Sequence, residues 1–294
     1  MNATDYVIIS PVRNEAAHLQ KTIDSVVAQT VRPREWILVN DGSTDQTRQI
    51  IDAAAGQFSW IRAIHRPDRG FRKSGGGVIE AFYDGYDALA EKSPEFIAKL
   101  DGDLSFQPDY FENCFEHFRL DSKIGIGGGL ICSAANDSLL QEESKGDPPF
   151  HVRGATKIYR CRCWKDITPL AAAPGWDTLD EIKANMLGWK TLTFRELKLL
   201  HFRHAGDADG AWRNWMKNGF ANYLAGYHPL FMLAKCVKRF FSERSLIAAA
   251  GLACGFLKGY CRRLPRIADA QVMAYLRHEQ LKRLSFQPSL WRPA

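Results

Sequence analysis

The chain has 294 residues, 24% charged and 46% hydrophobic, with a formal net charge of +6. That length suits one large α/β domain with an appendage, and the ordinary apolar content excludes a disordered or fibrous chain. Seven scattered cysteines exclude a disulfide framework, and Cys161 and Cys163 lack a second pair at zinc-finger spacing, so reduced, packed cysteines are expected. The charge is uneven. From Pro229 onward twelve Lys or Arg accompany three Asp or Glu, whereas the first 228 residues hold 27 basic and 30 acidic residues. A mildly acidic body with a basic tail suggests that the tail meets an anionic surface. The first residues show no basic stretch followed by a long apolar one, so no signal peptide is read and a cytoplasmic place is expected.

The first half alternates strand and helix patterns. Residues 6–10 (YVIIS) form a β-branched apolar run that suits a buried parallel strand. Helical spacing follows over 15–29, through Leu19, Ile23, Val26 and Val27. Residues 36–39 (WILV) are a second strand, closed by the turn residues Asn40, Asp41, Gly42 and Ser43. Helix is expected over 45–55, strand over 61–65, a glycine-opened helix over 75–91, strand over 96–100 and helix over 108–118. A further strand region begins at 125–129. Such alternation predicts βαβ units and a parallel sheet. Residues 136–149 are polar, contain Asp147-Pro148-Pro149, and read as a mobile surface loop. A turn at 175–177 leads into a short helix over 178–187, ended by Gly188. Strands over 190–194 and 197–202 precede a helical pattern from Asp209 to the end. The longest apolar tail stretch, residues 246–257, has twelve residues, against the roughly 20 that a bilayer span needs. Helices lying on a membrane surface and a subdomain packed on the sheet both fit this tail.

The chemistry-bearing residues fall at strand ends, where parallel α/β sheets bind ligands. Strand one runs into Pro11, Val12, Arg13, Asn14 and Glu15, strand two into Asp41 and Asp45, and strand four into Asp101, Gly102 and Asp103. Acidic groups gathered on neighbouring strand ends repel one another unless a cation or a hydrogen-bonding ligand offsets them. A divalent metal or a polyhydroxyl ligand is the expected partner. Neither G-x-G-x-x-G nor a P-loop signature is present, which argues against Rossmann dinucleotide binding and against a P-loop NTPase. The run from Arg69 through Arg72 and Lys73 to Gly77 sets glycines and cations at a helix N-terminus, which suits a diphosphate. Asp45 reads as a helix cap.

The segments YVIISPVRNEAAHLQKTIDSVVAQT, WILVNDGSTDQT and FIAKLDGDLSFQPDYF, in this order, resemble the nucleotide-sugar-binding half of family 2 glycosyltransferases. The resemblance is close over 6–118 and looser over 175–204. It implies a GT-A fold: a Rossmann-like, mostly parallel sheet with helices on both faces, here with a helical C-terminal extension. On that basis residues 1–228 form the catalytic domain, with 1–130 the nucleotide-sugar half and 131–228 the acceptor half, and 229–294 the basic extension. The resemblance implies that Pro11 and Glu15 line the base and ribose pocket, with Val12, Arg13 and Asn14 completing that turn and Asp41 on the base or ribose. It further implies that Asp103 binds Mn²⁺ or Mg²⁺ directly and Asp101 holds ribose or a metal-bound water. It implies a general base at the start of a helix across the cleft, which leaves Asp177 and Asp180 open. The spacing to Gly188-Trp189 favours Asp177, and a capping role is the alternative for both. The resemblance also implies a metal or diphosphate contact from a histidine beyond this helix, His201 by choice and His204 as the alternative, with Arg203 near a phosphate. Trp176, Trp189, Trp212 and Trp215 read as core or as sugar-stacking aromatics.

The expected reaction is inverting transfer from a nucleotide-diphosphate sugar, UDP-linked by preference, to a saccharide or lipid-linked hydroxyl in cell-surface polysaccharide or glycolipid synthesis. A sugar-phosphate nucleotidyltransferase is disfavoured by the strand-one turn. A non-catalytic nucleotide-sugar binder is disfavoured by the retained acids. Nucleic acid is not an expected partner, since no recognition module is evident. The sequence is silent on oligomeric state.

Overall fold

The computed structural model describes residues 4–71, 73, 75–134, 140–143, 147–202, 210–243, 245–266 and 269–292. The first half runs β1 (Tyr6–Val12), α1 (Leu19–Val27), β2 (Glu35–Asp41), α2 (Thr47–Gln57), β3 (Ile61–Arg66), α3 (Gly76–Asp87) and β4 (Phe96–Leu100). Next come β5 (Leu104–Phe106), α4 (Tyr110–Leu120), β6 (Ile124–Ala134), β7 (Leu140–Glu142), β8 (Thr156–Arg160) and α5 (Cys161–Ile167). The chain continues through α6 (Trp176–Met186), β9 (Lys190–His201), α7 (Gly210–Leu224), α8 (Pro229–Glu243), α9 (Leu246–Cys261) and α10 (Ala270–Leu284).

One sheet organises the molecule, in the order β3-β2-β1-β4-β8-β6-β9-β5, with β7 paired to β6. Its first four strands are parallel. Beyond β4 it is mixed: β8 is antiparallel to both β4 and β6, β9 is parallel to β6, and β5 is antiparallel to β9. Helical crossovers build the parallel half. The short 101–103 turn that follows β4 offers no such crossover, and the antiparallel pairings of the second half need none.

Both faces are covered, which is why β1 and β2 read as unbroken apolar runs. Tyr6, Ile8, Trp36 and Leu38 pack under Leu19, Ile23, Ile51, Phe111 and Phe115, from α1, α2 and α4. The alternate residues Val7, Ile9, Ile37 and Val39 pack under Ile79, Phe82 and Trp164, from α3 and α5. A third cluster joins Leu179 and Ile182 of α6 to Tyr223, Leu252, Phe256 and Leu276 of the C-terminal helices. There α7 and α9 run side by side in backbone contact. A Cβ on Gly255 would lie 2.0 Å from the Met216 carbonyl oxygen, and one on Gly219 would lie 2.1 Å from that of Leu252.

Several expectations change. The segment taken as a surface loop contains β7, paired with β6, while residues 135–139 and 144–146 fall outside the described residues. The two strands expected over 190–202 are one, since β9 continues past a register shift opposite Gly129 and Leu130. Strands β5 and β8 and helix α5 carry no periodic signal that singled them out. Among the described residues no helix is long and apolar enough to cross a membrane.

Candidate active site

The turns after β1, β2 and β4 share one edge of the sheet, because β1 pairs in parallel with both other strands. The first two turns are laced together. Asn14 sits in the left-handed region at φ 56°, its amide donates to Ser43 Oγ at 3.0 Å, and its Oδ1 accepts from Thr44 N at 2.8 Å. Glu15 N donates to Thr47 Oγ1 at 2.8 Å and Ala16 N to Asp45 Oδ2 at 3.1 Å. These amides serve the neighbouring turn, so α1 begins at Leu19 and not at Glu15. Asp45 also accepts from Thr47 N at 3.0 Å, an Asx turn one residue ahead of the helix N-cap, which is Gln46 and not the expected Asp45.

Asp41 is buried, and its carboxylate accepts from Arg66 Nη1, Arg69 Nη1 and Arg69 Nη2, each at 2.6 Å. Arg13 donates to the Asp41 carbonyl and, at 2.7 Å, to Asp68 Oδ1. Gly42, at φ 69°, lets the backbone pass the Pro67-Asp68 segment, where a Cβ would lie 2.6 Å from Asp68 Cα. Sequence reading placed Asp41 here without its arginines. The pairings of Asp41 with Arg66 and Arg69 span 25 and 28 residues, beyond any local pattern.

The Asp101-Gly102-Asp103 turn is seated on the strand-one turn. A Cβ on Gly102 would stand 2.7 Å from Val12 Cγ1 and 3.2 Å from Leu19 Cδ1, so glycine is required by packing. Asp101 pairs with the buried Lys99, which also donates to the Gly154 carbonyl. Burial raises the Asp101 pKa; Lys99 opposes that rise and Asp103 adds to it. Asp103 is buried, and the Leu104–His201 pairing of β5 with β9 brings His201 beside it. His201 Nε2 lies 3.3 Å from Asp103 Oδ2, and its Nδ1 lies 3.2 Å from Glu143 Oε2. Burial works against the imidazolium, but the two carboxylates outweigh it and raise the pKa to about 10. Glu143, just past β7, was not anticipated, because only the folded sheet brings it to a histidine 58 residues away.

On the other side of Gly154, α6 opens at Gly175, with φ 88°, and carries Asp177 in its first turn. Asp177 is half-buried beside Gly154, where a Cβ would lie 3.4 Å from Asp177 Oδ2. Asp180 is turned inward. Its carboxylate accepts from Lys157 Nζ at 2.8 and 3.0 Å and from Tyr159 Oη at 2.7 Å. Burial, opposed by Lys157, pushes its pKa up to about 7. Glu181, fully buried beside it, pairs with Lys157 at 2.9 Å and with His151 at 2.9 Å. Lys157 Nζ also donates to the Asp177 carbonyl at 2.5 Å.

Lys99 and Lys157 face each other in the β4–β8 register. Both ammonium groups lie over the buried Trp176 ring, at 5.5 and 5.3 Å. Like charges placed opposite one another in a sheet repel. The acids offset this, Asp101 for one lysine and Asp180 with Glu181 for the other. One lysine pair thereby links the Asp101-Gly102-Asp103 turn to the first turn of α6.

The glycine run has a packing role. A Cβ on Gly75 would lie 2.5 Å from Pro174 N and one on Gly76 2.6 Å from the Ala172 carbonyl, so residues 172–174 cover these glycines. Lys73 pairs with Glu80. Arg72, Arg203 and His204 lie outside the described residues. Trp189 donates to Asp166 at 2.9 Å, Trp215 lies under Arg239, and Trp212 is 43% exposed.

No group of three His, Cys, Asp or Glu side chains able to hold a metal alone occurs among the described residues. The Asp103 carboxylate, with His201 once its imidazolium has given up a proton, would fit a Mn²⁺ or Mg²⁺ ion that takes its remaining oxygens from a diphosphate and water.

The parallel half of the sheet thus sets acids at three strand ends, the edge at which parallel α/β sheets bind ligands. The profile described as "Glycosyl transferase family 2" matches residues 7–159, just over half of the chain, and the chain belongs to that family. A chondroitin synthase of Pasteurella multocida is 31% identical over 117 residues, covering 40% of this chain and 11% of its own length. An uncharacterized glycosyltransferase of Nostoc is 32% identical over 143 residues, covering 48% of this chain and 41% of its own length. The chain thus spans less than half of either relative. Among solved structures, the mannosyltransferase PcManGT from Pyrobaculum calidifontis, in complex with GDP-Man and Mn²⁺, superposes with a TM-score of 0.55 at 15% identity. It covers 92% of this chain and 78% of its own. Staphylococcus aureus TarS 1–349 in complex with UDP-GlcNAc gives a TM-score of 0.52 at 14% identity, covering 97% and 93%. These likenesses establish the GT-A fold.

Proposed function

We propose that the protein is an inverting glycosyltransferase that moves a sugar from a nucleotide-diphosphate donor, UDP-linked by preference, to an acceptor hydroxyl. The observation that carries this reading is the meeting of two turns across Gly154, with Asp101 tied to its carbonyl through Lys99 and Asp177 packed against it. In this reading the strand-one turn and Asp41 with its arginines line the base and ribose pocket, and Asp101 holds ribose. Asp103 and His201 hold a divalent cation. Such an ion neutralises the diphosphate as it leaves. Asp177, at the cleft, takes the proton of the acceptor hydroxyl as its oxygen attacks the anomeric carbon opposite the leaving group. Asp180 is set aside as base because Lys157 and Tyr159 occupy its carboxylate, which has no surface on the cleft. The acceptor is a saccharide or lipid-linked hydroxyl met at the cytoplasmic side, in cell-surface polysaccharide or glycolipid synthesis.

The test is a panel of nucleotide-sugars with Mn²⁺ or Mg²⁺, read as released nucleotide diphosphate and as the anomeric configuration of the product. Asp103→Ala abolishes transfer and metal-dependent donor binding. Asp177→Asn keeps donor binding and lowers kcat by about 10²–10⁴-fold. Asp180→Asn retains transfer in its folded fraction. Full activity of Asp103→Ala, or a retained anomeric configuration, refutes the reading. Release of pyrophosphate would instead identify a nucleotidyltransferase.

A further inference from the structure

The C-terminal helices end in an apolar tip. Helices α8 and α9 form a hairpin whose connection lies between Glu243 and Leu246. On either side of it Phe241 is 72% exposed, Leu246 68% and Ile247 53%, and Phe240 and Val237 are exposed beside them. Between the helices lies a notch of about 380 Å³ lined by Cys236, Val237, Phe240, Phe241, Leu246, Ala249 and Ala250, with no charged side chain in it. Because Gly251 meets Trp215 and Gly259 meets Tyr223, α7 runs in the same direction as α9 and brings its N-terminal turn to the same end. That turn carries the exposed Trp212. Apolar surface this concentrated marks an interaction site.

Charge identifies the occupant. Helices α7, α8 and α9 contain one acid, Glu243, and six cations: Arg213, Lys217, Lys235, Lys238, Arg239 and Lys258. Arg213, Lys217 and Lys238 are exposed near the tip, and Arg239 stacks on Trp215. Exposed apolar side chains at a convex end, a tryptophan at their margin and cations behind them match the depth profile of an anionic lipid surface. Neither helix is a span: α9 has 16 residues, about 24 Å of rise against a hydrocarbon core of about 30 Å.

We propose that the α8–α9 tip, with the first turn of α7, docks the protein on anionic membrane by inserting Phe240, Phe241, Leu246 and Ile247 among the acyl chains. The docking is independent of the sugar-transfer reading. It does have a geometric consequence for that reading. Gly210 follows His201 by nine residues, so the tip helix bundle starts within about 30 Å of the acidic cluster at full chain extension. Helix α7 also rests on the N-terminus of α6, since a Cβ on Gly175 would lie 3.5 Å from Ala221 Cβ.

The experiment is flotation of the full chain with vesicles of phosphatidylcholine alone or with phosphatidylglycerol, at low and high salt. The wild type floats with the anionic vesicles and not with the neutral ones, and salt releases it. Phe241→Ser combined with Leu246→Ser changes two exposed side chains, leaves thermal unfolding unchanged and weakens binding by at least about tenfold. Lys238→Glu weakens it at low salt only. Brominated acyl chains quench wild-type tryptophan fluorescence, and Trp212→Phe removes most of that quenching. Three results overturn the proposal: no flotation with anionic vesicles at low salt, flotation unaffected by the double substitution, or a lipid-free dimer that the same substitution dissociates.

Discussion

At the residue scale, the acids divided by the fold show how environment assigns roles to similar side chains. Asp177 and Asp180 lie three residues apart on one helix. One stands by the cleft beside Gly154, and the other sits in a buried network with Lys157 and Tyr159. The sequence shows two carboxylates near a helix start and cannot rank their burial, because their partners come from β8, about 20 residues upstream. Asp101 and Asp103 were legible because the motif is local and follows a strand. Glu143, Arg66 and Arg69 were not, because each finds its partner across the sheet. His151 adds a pH prediction. Burial lowers its pKa, but the charge and hydrogen bond of Glu181 outweigh this and hold it above its ordinary 6.5. A basic group raised on folding adds stability that is fully present below about pH 6.5 and lost as pH rises through the folded-state value. The wild type therefore loses thermal stability as pH rises above 6.5 relative to His151→Gln, measured by calorimetry over a pH series. Parallel curves would show that His151 carries no such charge.

At the scale of elements, β1 to β4 were legible because both faces are apolar, whereas β8 was not. Its sequence TKIYR carries two cations, yet four of its five residues are buried. A buried lysine is tolerated only with partners, and those of Lys157 come from α6. Helix α6 is thus fastened to the sheet by an ion cluster as well as by Leu179 and Ile182. Breaking such a cluster from one side leaves uncompensated buried charge. Lys157→Met should lower unfolding stability by about 3 kcal/mol, read by denaturant titration. Adding Asp180→Asn should recover part of that loss by removing one of the stranded charges. A single variant as stable as the wild type would show that the cluster does not hold α6.

At the scale of the molecule, the strand-and-helix half and the C-terminal helices are one packed unit, joined through α6 and the third core cluster. The tail read as helices on a membrane surface or as a subdomain packed on the sheet. The fold gives it a packed side, made by Gly219, Gly251, Gly255 and Gly259 at the α7–α9 contact, and an open end. The spacing of Gly251, Gly255 and Gly259 was not read from the sequence, because its meaning rests on the partner helix. A side chain at 255 has no room against the Met216 backbone, so Gly255→Leu should force the helices apart. The expected loss is about 1–3 kcal/mol, seen as a lower thermal midpoint together with faster hydrogen exchange in α7 and α9. Unchanged exchange in both helices would contradict the contact.

The opposed lysines of β4 and β8 have one more consequence. Strand side chains alternate faces, so a slip of β8 by a single residue would turn Lys157 away from α6 and present Thr156 or Ile158 in its place. A change in the length of the segment between β6 and β8 is therefore compatible with this arrangement only where it delivers β8 in the same register. The alignment of one antiparallel strand pair acts as a gauge: it fixes the distance between the Asp101-Gly102-Asp103 turn and the first turn of α6.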